Sequence, residues 1–314
     1  MIETHRASLS LPSGSTLVED ADEEIFLLYT RAAGSDATPK GGLGFHSAAR
    51  DVLDLDLSIE PPPPDSVDSN SNSNQRRGRG RGRGRARANA NAVEVHVELH
   101  QSVSNLRHRA GDTGSVVWRL SLAVARFVLE AHHFARRANN AVLLPHLATS
   151  TVLELGSGTG FLGIALRGVA KHWTFSDQFD HLALIQRNLR ANSIPDPDPA
   201  YAIVELDWLV ERATTTSAAP DVIFAVDCVY NPELAVALAH TLVANAARET
   251  VSVVACELRA PDAVELFLAT WLDKGRARFG PGRWRVARLG WDDRGGGSGL
   301  SDPNFVVWVG WCTE

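Results

Sequence analysis

The segment Val152-Leu153-Glu154-Leu155-Gly156-Ser157-Gly158-Thr159-Gly160 runs an apolar stretch into a glycine-rich turn. Glycines at the carboxyl end of a strand let the backbone approach a ligand closely. A dinucleotide site spaces them as G-x-G-x-x-G. Here the third glycine, Gly160, comes one residue early and Phe161 stands where it would fall. Glu154 lies two residues before the first glycine, so a carboxylate accompanies the turn. Roughly 20 residues further on is Asp177, the distance at which an acidic side chain can accept hydrogen bonds from both hydroxyls of a ribose. Capping the next helix is the plainer role for it. Asp207-Trp208 follows a third apolar segment; the indole can stack on a purine or simply pack in the core. Asp227-Cys228-Val229-Tyr230 follows a fourth.

An early third glycine with a carboxylate nearby suits S-adenosyl-L-methionine, which has no pyrophosphate to cradle and carries a cationic sulfonium. The carboxylate of Asp227 and the ring of Tyr230 would then stand on the substrate side, unless Asp227 merely caps the helix beginning near Pro232. The proline follows the tyrosine, so this is not the Asn/Asp-Pro-Pro-Tyr arrangement that grips planar amides and base amines. Glu257 follows a fifth segment at the same end of the sheet and reads as a surface carboxylate, or else as part of a pocket for a basic substrate.

The elements that must position these residues alternate. Strands are expected at 151–155, 173–176, 201–206, 221–228 and 251–256. Helices are expected at 163–169, 179–192, 232–246 and 261–272, with an earlier one from Trp118 to Ala131. Alternating strands and helices mean a parallel sheet covered on both faces. Two closing strands, 284–291 and 305–312, flank a glycine-rich loop and form an antiparallel pair at the edge. A seven-stranded sheet with an antiparallel last strand is the class I methyltransferase architecture, Rossmann-like α/β.

Upstream, a helix at 23–31 and a strand at 51–59 are expected within an N-terminal β extension, residues 21–60. A second strand at 93–100 has the same two-residue period, Val93, Val95, Val97 and Leu99 alternating with polar residues. The two could pair as a hairpin. Between them, 61–92 is a Pro/Ser/Asn stretch followed by an Arg-Gly alternation, a composition that cannot bury apolar surface and reads as disordered. Residues 1–20 read as a flexible tail, 93–116 as strand and connector, and 117–314 as the catalytic-type domain.

The 314 residues are 44% hydrophobic and 22% charged, with net charge −6. That balance is globular and soluble. No apolar run approaches the ~20 residues of a membrane span, and Met1 to Glu24 lacks the layout of a signal peptide. Cys228, Cys256 and Cys312 have no C-x-x-C pairing, so neither a zinc site nor a disulfide framework is expected. His132 and His133 lack partners at metal spacing, and no metal is expected. A cytoplasmic location follows. Trp284, Trp291, Trp308 and Trp311 crowd the closing strands as core or edge-covering residues.

Leu155 to Gly160, Ser176-Asp177, Leu206-Asp207-Trp208 and Asp227-Cys228-Val229-Tyr230 together resemble the methyltransferase-16 group of seven-strand protein lysine methyltransferases. Gly114-Ser115-Val116-Val117-Trp118 looks like that group's pre-core motif. Glu23 to Tyr29, the basic insert and Ala225 to Asn231 look similar to its fungal ribosomal lysine methyltransferases. The resemblance implies S-adenosyl-L-methionine as cofactor, with contacts from Trp118, Glu154, Gly156, Ser157, Gly158, Asp177, Trp208 and Val226. It also implies Asp227 and Tyr230 at the acceptor, a lysine of a large-subunit ribosomal protein (the stalk protein) as substrate, and a monomer. Another protein client, such as a translation factor or chaperone, is the alternative.

The chemistry implied is a direct displacement in which the protein supplies orientation. A lysine amine, with pKa ~10.4, is neutral in only roughly one molecule in 2,500 at pH 7, so the site must favour the neutral form. Seven of the chain's 31 lysines and arginines lie between Arg76 and Arg87; without them the net charge falls from −6 to −13. The remainder is acidic and suits a basic protein. The tract itself suits weak RNA contact, and a non-catalytic RNA-associated protein is the other class of reading. No aromatic residue interleaves the tract, so base stacking is not offered there.

Overall fold

The computed structural model describes residues 9, 11–34, 46–47, 50–61, 92–103, 114–134, 144, 146–195, 197–210, 218–290 and 300–313. The Arg-Gly tract, Trp291 and the glycine-rich loop before the last strand lie outside the described residues.

In chain order the elements are β1 (Thr16–Leu17), α1 (Ala21–Ala33), β2 (Val52–Ile59), β3 (Val93–His100), α2 (Arg119–Phe134), β4 (Thr151–Leu155), α3 (Phe161–Ala165), β5 (His172–Asp177), α4 (Phe179–Ala191), β6 (Tyr201–Glu205), β7 (Val222–Val226), α5 (Pro232–Asn245), β8 (Val251–Glu257), α6 (Pro261–Phe279), β9 (Trp284–Arg288) and β10 (Phe305–Cys312). The main sheet runs β1-β9-β10-β8-β7-β4-β5-β6. β4 through β8 pair in parallel, while β10 is antiparallel to both β8 and β9. The fold is α/β with a mostly parallel central sheet, as the alternation requires.

Two apolar layers sandwich that sheet. On one face Val152, Phe224 and Val307 pack with α2, α3, α4 and the hairpin residues Leu55, Leu57 and Leu99. On the other, Leu153, Ile223 and Val254 pack with α1, α5 and α6. The hairpin expected from the two alternating segments forms, antiparallel, with Val52 opposite His100 and Ile59 opposite Val93. It does not join the main sheet. Its β3 backbone is instead completed by two side-chain amides of α4. Asn188 and Asn192, one turn apart, accept from the His100 and Glu98 N–H groups at 2.7 and 3.0 Å and donate to the same residues' carbonyls at 2.9 and 2.6 Å. These amides imitate a neighbouring strand and satisfy backbone groups that would otherwise be lost on burial.

Several boundaries differ from expectation, each for a local reason. The tail at 1–20 is not frayed throughout: β1 pairs with Arg288 and Ala287, Val18 is buried, and Asp20 caps α1 by accepting from the Glu23 N–H at 2.9 Å. The sheet therefore has eight strands counting β1, and β10 lies inside it rather than at the edge. α3 starts at Phe161 and ends before Leu166, because Gly168 turns the chain with φ +77°. β7 stops at Val226, since Asp227 takes φ +59°. α6 continues past Leu272 to Phe279. Its Gly275 is a packing contact, not a stop: a Cβ there would lie 2.2 Å from the Trp284 Nε1. Trp284 and Trp308 are core residues, and Trp308 Nε1 donates to the buried Glu24 at 3.0 Å. No helix among the described residues is long and apolar enough to cross a membrane.

Candidate functional site

β4 delivers Glu154 and Leu155 to the carboxyl end of the sheet, where the chain reverses through Gly156, Gly158 and Gly160 with φ of 65, 54 and 75°. Such values favour glycine. Space demands it too. A Cβ on Gly156 would lie 2.8 Å from Cys228 Sγ and 3.0 Å from a ring carbon of Trp208, and one on Gly158 would lie 2.8 Å from the Gly114 carbonyl oxygen. The turn is tied to β5. The Ser157 N–H donates to the Ser176 carbonyl at 2.9 Å, and its Oγ accepts from the Ser176 N–H at 3.0 Å. Asp177 Oδ2 accepts from the Gly158 N–H at 2.7 Å, while Oδ1 accepts from the Gln178 N–H at 2.8 Å and faces His181 Nδ1 at 2.9 Å. Asp177 is thus the anchor of the loop, and the N-cap position of α4 belongs to Gln178.

A cavity of about 390 Å³ opens over this turn. Trp118, Glu154, Gly156, Ser157, Gly158, Asp177, Trp208, Val226, Asp227 and Tyr230 all line it. The ten residues singled out from the sequence come from five segments and meet in one place. The lining fits S-adenosyl-L-methionine. Its two strained glycines leave room for close backbone approach, a nearly buried carboxylate stands beside the turn, and the buried Trp208 Nε1 has no hydrogen-bond partner among the described residues. An orphaned buried N–H is costly and is one a ligand can satisfy.

At the other end of the cavity the chain is held by charge. Asp227 is nearly buried, its Oδ2 paired with Arg259 Nη2 and its Oδ1 accepting from the Glu257 N–H at 3.3 Å. Burial pushes its carboxyl above the ordinary value, and Arg259 opposes that shift. Arg259 also binds Glu257 at 2.9 Å, and Arg119 binds the other oxygen of Glu257 at 3.0 Å. The Arg259 guanidinium lies over the Trp118 ring, 4.5 Å from its centroid. Two carboxylates and two guanidiniums balance. Glu257 is therefore not the surface carboxylate the sequence suggested, its side chain being 11% exposed. Asp227 does not cap α5 either. Asn231 does, accepting from the Glu233 N–H at 2.9 Å, with Pro232 in the first turn.

Glu154 departs from the part expected of it. Its Oε2 accepts from Trp173 Nε1 at 2.8 Å inside the core, and burial pushes its carboxyl up to about 8. At neutral pH it is mostly protonated, which weakens it as a counter-charge to a sulfonium. Cys228 Sγ, against Gly156, is buried and its thiol pushed well up, so it is an inert part of the wall.

Sequence reading missed Arg119, Arg259 and Asn188. Asn188, fully buried, also donates to the Thr159 carbonyl at 2.8 Å and so couples the hairpin to the glycine turn. The only local sign of Arg259 was its place two residues after Glu257 at a strand end; Arg119 is merely the residue after Trp118.

Comparison with known proteins follows the same lines. A family described as lysine methyltransferase matches residues 101–271. The protein-lysine N-methyltransferase EEF2KMT of Homo sapiens is 32% identical over 193 residues, which are 56% of this chain and 53% of that protein. Diaminohydroxyphosphoribosylamino-pyrimidine deaminase of Schizosaccharomyces pombe is 32% identical over 158 residues, 48% of this chain and 35% of that protein. The chain thus spans about half, or less, of the length of these relatives.

Proposed function

The chain belongs to the lysine methyltransferase family, and from that premise we propose that it transfers a methyl group from S-adenosyl-L-methionine to a protein lysine, the client being a large-subunit ribosomal protein. The observation that carries the reading is the single cavity joining the Asp177-anchored glycine turn to Asp227 and Tyr230. S-adenosyl-L-methionine, when bound, supplies the methyl group and a neutral leaving group.

The chain's own residues do the rest. The turn at Gly156–Gly158, with Asp177, Trp208, Trp118 and Val226, holds the cofactor. Asp227 accepts an N–H of the incoming amine, which turns the nitrogen lone pair toward the methyl group. Tyr230 lines the channel for the lysine stem. The indoles exclude water, which favours the neutral amine over the ammonium by desolvation. The balance of two carboxylates by two guanidiniums serves the same end, because a net negative acceptor site would stabilise the ammonium. Proximity and orientation then account for the rate. The acidic remainder of the chain, −13 without the arginine tract, favours a basic client.

The test is methyl transfer from labelled S-adenosyl-L-methionine into an extract lacking the native enzyme, supplemented with ribosomes and with free ribosomal proteins. Label on a lysine of one ribosomal protein is the expected result. Asp177→Ala should weaken cofactor binding roughly 10- to 100-fold, the loss expected for hydrogen bonds to a charged group, as read by calorimetry. Label on a lysine of a different protein would keep the chemistry and replace the client. No label from a wild-type protein that binds the cofactor would refute the reading.

A further inference from the structure

We infer that Arg259 is a positioning residue for the reaction, holding the Asp227 carboxylate and the Trp118 ring in one fixed arrangement without itself meeting the substrate. The inference rests on the lysine methyltransferase reading of the cavity. Asp227 is the last place a chain would put a mobile carboxylate: its side chain is 2% exposed and its backbone sits at φ +59°. A residue in that conformation persists only when its surroundings over-determine it. The β8 end supplies the determination. Arg259 donates through Nη2 to both Asp227 Oδ2 and Glu257 Oε2, and the Glu257 N–H donates to Asp227 Oδ1. The Asp227 N–H is held in turn by the Ala255 carbonyl at 2.8 Å.

The same guanidinium stacks on Trp118, which lines the cofactor side of the cavity. One planar group therefore connects the acceptor carboxylate to the cofactor wall. Lysine cannot do this, because an ammonium could reach both acids but has no planar face to lay on the indole. Arg119 holds the far oxygen of Glu257, leaving Arg259 to bridge the two acids.

The charge on Asp227 depends on this bridge. Facing it are Arg259 and Glu257, with Cys228 beside it in sequence, Cys256 from β8, and Arg119 from α2 acting through Glu257. Of these the Arg259 guanidinium favours ionisation most, and the Glu257 N–H bond to Oδ1 assists it. Without Arg259, burial and the Glu257 charge both drive Asp227 toward its neutral acid, which cannot accept an amine N–H with both oxygens.

The experiment compares wild type, Arg259→Met and Arg259→Lys by pH–rate profile, by calorimetry of S-adenosyl-L-methionine binding, and by the carboxyl carbon NMR titration of Asp227, assigned by its loss in Asp227→Asn. Arg259→Met should lose roughly 100-fold in kcat, the cost of a small misplacement near the reacting atoms. Its acid limb and its Asp227 titration should both move up by about 1 to 3 pH units. Arg259→Lys keeps the charge, so its acid limb should stay near that of wild type while kcat falls. Should the Met variant not fold, the Lys variant decides: a limb and a kcat both unchanged from wild type overturn the proposal. An Arg259→Met protein with an unmoved limb and titration overturns it as well, even if it melts at a lower temperature. The NMR titration needs no turnover. If wild type transfers no methyl group, the functional reading fails, while the titration still reports whether Arg259 sets the state of Asp227.

Discussion

The glycine-turn end of the cavity is held by backbone amides, one carboxylate and the absence of side chains, all from β4, β5 and the turns that follow them. The Asp227 end is held by ion pairs among side chains from α2, the end of β8 and the turns that follow β7 and β8, up to 138 residues apart. The first construction is local and repeats with the motif that encodes it. The second exists only once distant elements are packed. A change at the turn should therefore act mainly on ligand binding. A change in the ion-pair network should act first on stability and on the state of neighbouring charges.

The largest loss expected from a single substitution at fixed pH tests the second half of that contrast. Asp227→Ala leaves Arg259 partly buried with Glu257 alone, and should cost about 3 kcal/mol in denaturant unfolding, the low end for a broken buried pair. Affinity for S-adenosyl-L-methionine should change by only a few-fold. A variant as stable as wild type would break the comparison, because the network would then not be structural.

A second test asks whether Glu154 adds a buried charge to the turn end. Glu154 has its carboxyl raised by burial to about 8, from an ordinary value of 4.5. The folded state thus holds a proton that the unfolded state releases above pH 4.5. Stability from this group is complete below that pH and is lost as pH rises through 8, with a limiting slope of about 1.4 kcal/mol per pH unit. Glu154→Gln should keep the bond from Trp173 and flatten that slope. Urea unfolding of both proteins between pH 5 and 8, on the order of the window named, measures it; parallel slopes would show the carboxyl to be ionised in the fold.

The smallest expected effect sharpens the first half. Gly158→Ala places a methyl group against the Gly114 carbonyl at a left-handed φ. It should cost about 1–2 kcal/mol, seen as weaker cofactor binding by calorimetry with only a modest shift in melting temperature. Equal losses in affinity and stability would mean that the turn is as integral to folding as the ion pairs.

Much of the fold was legible in the sequence because it is written in short periods. The alternation in 51–59 and 93–100 gave both hairpin strands and their pairing, and the apolar segments ending at Leu155, Ser176 and Leu206 marked three parallel strands to within a residue. Among the residues lining the cavity, Glu154, the glycine turn, Asp177, Trp208, Asp227 and Tyr230 were legible because they close or follow such segments, where ligands gather in α/β sheets, while Trp118 and Val226 rested on the family resemblance alone. Boundaries failed where one residue answers to a distant neighbour. The helix expected to end at Leu272 runs on through Gly275, which makes room for Trp284, and Thr16–Leu17 shows nothing until β9 offers an edge.

The sequence by itself determined the order of strands and helices, the glycine turn and the identity of the carboxylates near it. These depend on steric and periodic preferences that act over a few residues. Tertiary structure decided which partner each carboxylate takes. It gave Asp227 to Arg259, Glu257 to Arg119 and Arg259, and the hairpin edge to Asn188 and Asn192, and it buried Glu154 deeply enough to keep its proton. Partnering and desolvation are properties of packed neighbours, and no local pattern of residues records which neighbours those will be.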